Sequence, residues 1–311
     1  MKASSDKISS VKMARTLFGS AAQLYPEPGL KRVKDKVKYW MRGLATPELT
    51  RQWFQILAQP ELSDIVHVHP RLMSKLQRPY LHRNLKPRQR LEVLREHFTF
   101  VIAKLSPRDS EKIYSPDGLK LADISLEGVG DFSLQLFYRD RFEKEGELMV
   151  ALCSAGGKRM IFTLSFTVTA FNQTESSLFI GGLQSFKIQD AREVVVSVTR
   201  GMHGLRPKGL LLFTVQQLAK IWGVKTIRAV SNDLNIFQDF RLKKKKVLAD
   251  YNEFWLESDG NLDADGLFSL PLTFTPRPMT DIKPNKRSLY KQRYAMLEDL
   301  ATKIAASLQP C

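Results

Sequence analysis

Hydrophobic positions recur at two different periods along the chain, and the change of period divides it into regions. In the first third, apolar residues recur every three or four positions, which predicts amphipathic helices. From Asp131 the period becomes two, as in half-buried strands joined by short turns. An antiparallel meander should therefore follow a mainly helical region. The strands are predicted at 132–136, 147–154 and 159–171, with hairpin connections at 140–146 and 154–158.

The segment 177–233 carries the signals of a strand, two helices and a second strand, in that order. Paired glycines end the first strand, a capping box opens the first helix, and the second helix begins with a proline and ends at a glycine. A helix that returns the chain to a sheet indicates a crossover connection. The residues concerned are Gly181 and Gly182, Asp190 with Glu193, Pro207, Gly223, and the strand 224–230.

The predicted fold class is therefore α/β or α+β. It has a helical N-terminal third, an antiparallel meander that runs into a helix-helix-strand crossover, and a C-terminal amphipathic helix with apolar residues at helical spacing, expected to dock on the body of the protein or on a membrane face. We expect a basic, mainly helical region at 1–112, a mixed α/β core at 113–280 and a helical tail at 281–311.

Charge narrows the choice of partner. The 311 residues include 48 Lys and Arg against 32 Asp and Glu, a net charge of +16, which predicts an anionic partner such as RNA, an anionic lipid or a phosphate-bearing ligand. The segment 31–44 predicts a basic helix with one apolar face. Such a helix fits an anionic membrane or a nucleic acid, and it equally fits a solvated face that covers a core stripe.

Other features limit the compartment and the chemistry. No segment approaches transmembrane length, and two cysteines, Cys153 and Cys311, make no disulfide framework, so we expect a cytoplasmic protein, with a peripheral position at the inner membrane as the alternative. His67 and His69 share one side of an expected strand, but nothing near them completes a metal-ligand spacing. No metal site is predicted.

The turn at 204–209 is the clearest candidate site. It places Arg206 and Lys208 beside the N-terminus of the second crossover helix, where backbone N–H groups already attract anions. Arg206, Lys208 and Gly209 are therefore predicted to bind a phosphate or carboxylate.

Several runs of residues around this turn form a recognisable set: 180–184, 199–208, 229–232 and 251–255, with 69–72 and 79–81 earlier in the chain. Together they resemble the VirK/YbjX family of Gram-negative bacteria, over most of the chain, and His203-Gly204-Leu205-Arg206-Pro207-Lys208 is the most specific part. The resemblance implies a virulence-associated role, in envelope remodelling, resistance to cationic peptides and production of a surface virulence protein. It brings no established catalytic residues.

The pattern Arg206-x-x-Gly209-x-Leu211, between a sheet and a helix and followed later by Tyr251, also looks like the acyl-coenzyme A binding core of the GNAT acetyltransferases. That resemblance implies acyl-coenzyme A as cofactor, with the pyrophosphate held by the turn. It makes His203 a candidate general base and Tyr251 a candidate acid for the leaving thiolate. Leu211 stands where glycine or alanine is usual, and an extra helix precedes the turn.

Three functions follow. The first is a virulence-associated accessory protein that supports post-transcriptional production of a surface protein or envelope adaptation. The second is a GNAT-like acyl-coenzyme A-dependent acyltransferase, and the third is a non-enzymatic RNA-binding regulator. The first rests on family resemblance rather than on a recognised site.

Overall fold

The computed structural model describes residues 9–154, 159–170, 176–185, 191–238 and 250–308. Within these ranges an eight-stranded sheet forms the centre of the fold. Its strands are β1 (Leu119–Leu126), β2 (Gly130–Phe137), β3 (Leu148–Ser154), β4 (Met160–Thr169), β5 (Ser177–Ser185), β6 (Thr226–Ala229), β7 (Asn261–Leu262) and β8 (Phe268–Leu270).

Helices lie before the sheet along the chain, between its strands and after its last strand. Six lie in the first third, two connect β5 to β6, and one each follows β6 and β8 among the described residues. They are α1 (Ser10–Leu24), α2 (Leu30–Ala45), α3 (Pro47–Leu57), α4 (Ser63–Val68), α5 (Pro87–Lys104), α6 (Pro107–Tyr114), α7 (Ala191–Gly201), α8 (Pro207–Trp222), α9 (Tyr251–Glu257) and α10 (Arg287–Ser307). Short 3₁₀ helices include Pro70–Gln77 and Asp140–Phe142.

The sheet runs in the order β1-β2-β3-β4-β5-β6-β8-β7. Its neighbouring strands pair antiparallel except β5 and β6, which pair parallel from Ser177 opposite Thr226 to Ile180 opposite Ala229. The predicted fold class is thus confirmed: a helical third, an antiparallel meander and a helix-helix-strand crossover. Asp190, the predicted cap of α7, and residues 155–158 of a predicted hairpin lie outside the described residues.

Two local predictions were incomplete or wrong. Strand β1 was not predicted, because a register shift between Lys120 and Ala122 interrupts the alternation of buried and exposed residues. The histidine segment expected as a strand is helix α4, which has Asp64 in its first turn and ends just before Pro70. A proline disfavours helical geometry in the residue before it, so the helix stops there.

The C-terminal helix α10 packs against β1 and α8. It buries Leu297, Leu300 and Ile304, three of the residues whose spacing predicted an amphipathic helix. These residues belong to the same hydrophobic cluster as Leu17 in α1 and Leu152 in β3. One continuous core therefore includes residues from the helical third, the sheet and the tail.

A charged pair is buried where the helical third meets the sheet. Nζ of Lys75, in the 3₁₀ helix Pro70–Gln77, lies 2.5 Å from Oε1 of Glu147, and the two side chains are 1% and 0% exposed. The rings of Tyr80 and Tyr138 both pack against the lysine, each with its centroid 5.2 Å from Nζ. The backbone N–H of Glu147 donates to Oγ1 of Thr167 in β4. The pair thus fixes the helical third against the sheet.

Removing one member of this pair should destabilise the protein strongly. Lys75→Met leaves an unpaired carboxylate in a dry site, and we expect a loss of roughly 3–5 kcal/mol in the free energy of unfolding, measured by urea denaturation. The double variant Lys75→Met, Glu147→Leu should recover much of that loss. Lys120→Ala, which breaks the exposed pair with Asp123, is the control and should cost less than about 1 kcal/mol. Equal losses in Lys75→Met and Lys120→Ala would contradict this account.

Candidate functional site

The N-terminus of α8 lies on the side of the sheet where β5 and β6 end. Because β5 and β6 are parallel, the connection between them must leave at the carboxyl end of β5 and return to the start of β6. Helix α8 packs on β3 and β4 and makes this return. In open α/β sheets, the crevice outside the carboxyl ends of parallel strands is the usual place for a ligand.

The start of α8 has no side-chain cap. Arg206 is the N-cap residue, Pro207 occupies the first turn, and the N–H groups of Gly209 and Leu210 both donate to the carbonyl of Arg206. No acidic side chain lies in the first turn. The positive end of the helix dipole is therefore balanced by neither a cap nor a carboxylate of its own helix.

The two predicted cations contact a carboxylate on α9. Arg206 Nη1 and Lys208 Nζ lie 3.0 and 3.4 Å from Oε2 of Glu257, and Nζ of Lys208 lies 4.4 Å from the centroid of the Phe254 ring. Slight burial would raise the pKa of Glu257, but the charges of Lys208 and Arg206 outweigh it and lower that pKa below its ordinary value. Arg206 and Lys208 are thus already paired with a carboxylate of the protein itself.

Tyr251 opens α9, after Asp250 caps the helix by accepting the N–H of Glu253. Its hydroxyl accepts the backbone N–H of Leu183 and donates to the carbonyl of the same residue, both at 3.2 Å. Burial raises the pKa of Tyr251 above its ordinary value, and the charge of Glu145 raises it further. Beyond Ile180, where β6 no longer pairs with β5, this hydroxyl therefore satisfies the backbone groups that a neighbouring strand would have bonded.

His203 lies elsewhere. It has a φ of 51° just after α7, and its carbonyl accepts two hydrogen bonds from Arg293 of α10. Its side chain lines a cleft of about 840 Å³ between α7, α10 and the β1–β2 hairpin, whose described lining includes neither Arg206 nor Tyr251. The structure thus brings Arg206, Lys208 and the helix of Tyr251 together, while His203 lines a different cleft.

Sequence reasoning missed a row of buried glutamates before β3. Glu143, Glu145 and Glu147 alternate along the chain, and all three are buried. Glu143 accepts from Arg78 at 2.7 Å, Glu145 accepts from Gln184 through both of its oxygens at 2.7 Å, and Glu147 pairs with Lys75. The alternation was visible in the sequence. Glu143 and Glu145, however, lie in the segment 140–146 assigned to a hairpin connection, where charged residues are expected to be exposed, and Glu147 opens the predicted strand 147–154.

This glutamate segment explains the paired glycines of β5. A Cβ atom at Gly181 would lie 2.1 Å from the carbonyl oxygen of Glu145, and one at Gly182 would lie 2.6 Å from the Glu145 carboxylate. The register of β4 and β5 also shifts here. The glycines were predicted to end the strand, but β5 continues to Ser185. They instead allow the close approach of Glu145, which sets the path of β5 just before Leu183.

The fold and the site define a mixed α/β protein in which a cation-bearing helix N-terminus lies beside a parallel strand pair. The chain belongs to the family described as "Protein of unknown function (DUF535)", whose model matches residues 28–306. It is 31% identical to the uncharacterized protein YbjX of Escherichia coli K12 over 295 residues, which cover 93% of this chain and 89% of the relative. The resemblance to the VirK/YbjX family is thereby confirmed.

More distant relatives match most or about two thirds of the chain. A Haemophilus influenzae protein is 26% identical over 287 residues, covering 92% of this chain and 93% of its own. A protein of Mannheimia haemolytica named "Membrane protein LapB" is 23% identical over 213 residues, covering 68% of this chain and 89% of its own. No solved structure matches the chain significantly. Across the described residues, no helix is long and apolar enough to span a membrane, and no group of three acidic, His or Cys side chains could hold a metal ion.

Tyr251→Phe should lower stability because it leaves the buried N–H and C=O of Leu183 without their partner. We expect a loss of roughly 1–3 kcal/mol in the free energy of unfolding by urea denaturation. Tyr294→Phe is a matched control, since that hydroxyl bonds the N–H and C=O of Arg277 in the same way but at an exposed position. Water can replace it there, so the control should change little. A Tyr251→Phe variant as stable as Tyr294→Phe would show that the hydroxyl is not a structural bridge.

Proposed function

We propose that this protein is an accessory factor of the Gram-negative envelope. In this role it supports post-transcriptional production of a surface virulence protein, envelope remodelling and resistance to cationic peptides, the functions that resemblance to VirK/YbjX implies. It acts in the cytoplasm, peripherally at the inner membrane. The name of the Mannheimia relative, a membrane protein, supports an association with the membrane, and the net charge of +16 supports an anionic partner.

Its chemistry, in this proposal, is that of a GNAT-like acyltransferase that uses acyl-coenzyme A. One observation carries this: the single parallel strand pair of the described sheet, β5–β6, ends at Ile180 and Ala229, while β5 continues to Ser185. Helix α9 contacts Leu183 of β5 through Tyr251 and the two cations at the start of α8 through Glu257. Diverging parallel strands form a crevice for a ligand, and a helix N-terminus with two cations suits a pyrophosphate.

The residues present fit a phosphate-bearing cofactor. The side chains of Arg206 and Lys208, with the positive end of the α8 dipole, would hold the phosphates. The N–H groups of Gly209 and Leu210 already donate to the carbonyl of Arg206, so the two cations would make most of the contacts. Leu211, which departs from the glycine or alanine of the GNAT pattern, is fully buried in the core and does not face this site. When bound, the cofactor supplies an activated acyl group. The phosphates would replace Glu257 as the partner of Arg206 and Lys208. Because these ion pairs are exposed, breaking them costs little free energy.

Tyr251 and His203 remain the proposed proton-transfer residues. Tyr251 would donate its hydroxyl proton to the leaving thiolate. Burial raises the pKa of this hydroxyl, so the proton transfer has to be driven by the leaving group. The part of the cofactor that hydrogen-bonds β5 would use the same backbone groups of Leu183 that the Tyr251 hydroxyl now bonds. The bound cofactor would therefore lie next to the Tyr251 hydroxyl. His203 would act on a substrate that reaches from its own cleft.

Binding of coenzyme A tests the site. Calorimetric titration of the full chain with coenzyme A should give saturable binding, and Arg206→Ala, Lys208→Ala should weaken it at least about tenfold because two cation–phosphate contacts are lost. Glu257→Gln should strengthen binding, because it removes the competing carboxylate. Lys220→Ala, an exposed lysine in the last turn of the same helix, is the control and should bind as wild type does.

Other outcomes separate the alternatives. If wild type does not bind coenzyme A, or if the double variant binds equally well, the transferase assignment fails. If RNA instead co-purifies with wild type and with the double variant, and dissociates steeply with salt, the RNA-binding regulator is favoured. The accessory role is tested separately, by expressing the same variants in a deletion strain of the natural host and measuring survival with a cationic peptide. Failure of wild type to restore survival would contradict that role.

A further inference from the structure

Helix α2 leaves a row of large apolar side chains in water. The sequence alone allowed this row to be a core stripe, but the structure turns it outward. Soluble proteins rarely expose contiguous apolar surface without a use for it. The row and its exposed fractions are Leu30 at 90%, Val33 at 56%, Val37 at 41%, Met41 at 66% and Leu44 at 48%.

These five side chains form one continuous strip. At about 100° per residue they fall within an arc of about 80° on the helix surface. The opposite side of α2 packs on the body through Tyr39 and Gly43, which are buried. Gly43 lies so close to α1 that a Cβ atom there would come within 2.7 Å of a Leu17 methyl group. Helix α2 therefore already has its core contact, and the strip is additional to it.

Exposed cations border the strip along one side. Lys34 and Lys38 follow it directly, and Lys31 and Arg42 lie just beyond them on the same flank. The helix thus presents an apolar strip and a basic strip side by side, both to solvent. This is the pattern of a helix that lies in the plane of a lipid interface, with its apolar side chains among the acyl chains and its cations at the headgroups.

Helix α1 widens the strip with aromatic side chains. Phe18 is 47% exposed, and its ring centroid lies 5.2 Å from that of Trp40, which is half-buried at the edge of the strip. The Trp40 ring therefore adds aromatic surface at the edge of the strip, and aromatic rings favour the boundary between acyl chains and headgroups.

We propose that this surface, formed by Phe18, Trp40 and the five apolar residues of α2, docks the protein on the surface of an anionic phospholipid bilayer. Charge complementarity selects the partner, because the bordering cations meet anionic headgroups while the strip enters the apolar layer. The inference deepens the membrane-peripheral part of the proposed function by naming its surface and its ligand class. It does not depend on the transferase assignment.

An RNA partner would use this surface differently. Phosphates would contact the cations, whereas the aliphatic side chains of the strip would gain nothing, since bases stack on aromatic rings. Binding to RNA should therefore be insensitive to the loss of Val33, Val37 and Met41. Binding to a bilayer should depend on both strips.

The test is flotation of the full chain with vesicles of phosphatidylethanolamine and phosphatidylglycerol, compared with pure phosphatidylcholine vesicles. Wild type should float with the anionic vesicles only. Val33→Ser, Val37→Ser, Met41→Ser should lower vesicle affinity at least about tenfold while keeping every charge. The matched control is Val196→Ser, Leu256→Ser, Leu262→Ser, three apolar residues of similar exposure on other elements, and it should bind as wild type does. Circular dichroism confirms that each variant is folded.

Tryptophan fluorescence locates the contact. Of the four tryptophans, Trp53, Trp222 and Trp255 are buried, so quenching by brominated lipid should come from Trp40. Quenching should disappear in Trp40→Phe, while flotation of this variant persists. In Lys34→Gln, Lys38→Gln, vesicle binding should weaken and lose part of its dependence on salt.

The proposal is overturned if wild type does not bind anionic vesicles, or if the serine variant of α2 binds them as well as wild type does. It is also overturned if that serine variant loses self-association or RNA binding while vesicle binding is unchanged. These outcomes are independent of coenzyme A binding. Failure of the docking surface and failure of the transferase assignment can therefore be told apart.

Discussion

The buried ion pair between Lys75 and Glu147 is the contact on which the arrangement of this protein depends. It joins the helical third to the sheet at a point where both side chains are almost fully removed from water. A buried ion pair contributes little net stability compared with apolar residues, but a buried charge whose partner has been removed lowers the free energy of unfolding strongly. The pair therefore acts mainly as a constraint, because packings that separate Lys75 from Glu147 leave a charge unpaired in the core.

The same constraint extends to the candidate site. Glu147 ends a segment in which Glu145 presses against the glycines of β5, and Leu81 donates its N–H to the carbonyl of Lys144 in that segment. With the segment held, β5 passes Gly181 and Gly182 on a fixed path and presents Leu183 to the hydroxyl of Tyr251. The position of α9, and through Glu257 the contacts of Arg206 and Lys208, follow from contacts that begin at the ion pair.

Much of the fold was predictable because local signals agreed with it. Pro207 and Gly223 mark the start and the end of α8. The alternation from Asp131 onward predicted the antiparallel meander. The features that the sequence did not predict are determined by contacts between residues distant in sequence. The bulge near Lys120 hid β1, and the burial of Glu143, Glu145 and Glu147 depends on partners such as Lys75 and Arg78, more than sixty residues away. Likewise, spacing marked one face of α2 as apolar but could not tell whether that face was covered. The turn at Arg206 was found from sequence, whereas its pairing with Glu257 was not.

The central claim is that the carboxyl ends of β5 and β6, with the start of α8, form the ligand site. Hydrogen–deuterium exchange of the full chain, with and without saturating coenzyme A, tests it most directly. The account predicts slower exchange at 181–185 and 205–211, because strand and helix N–H groups there become covered or bonded. Slower exchange confined to other segments, or none at all, would contradict it.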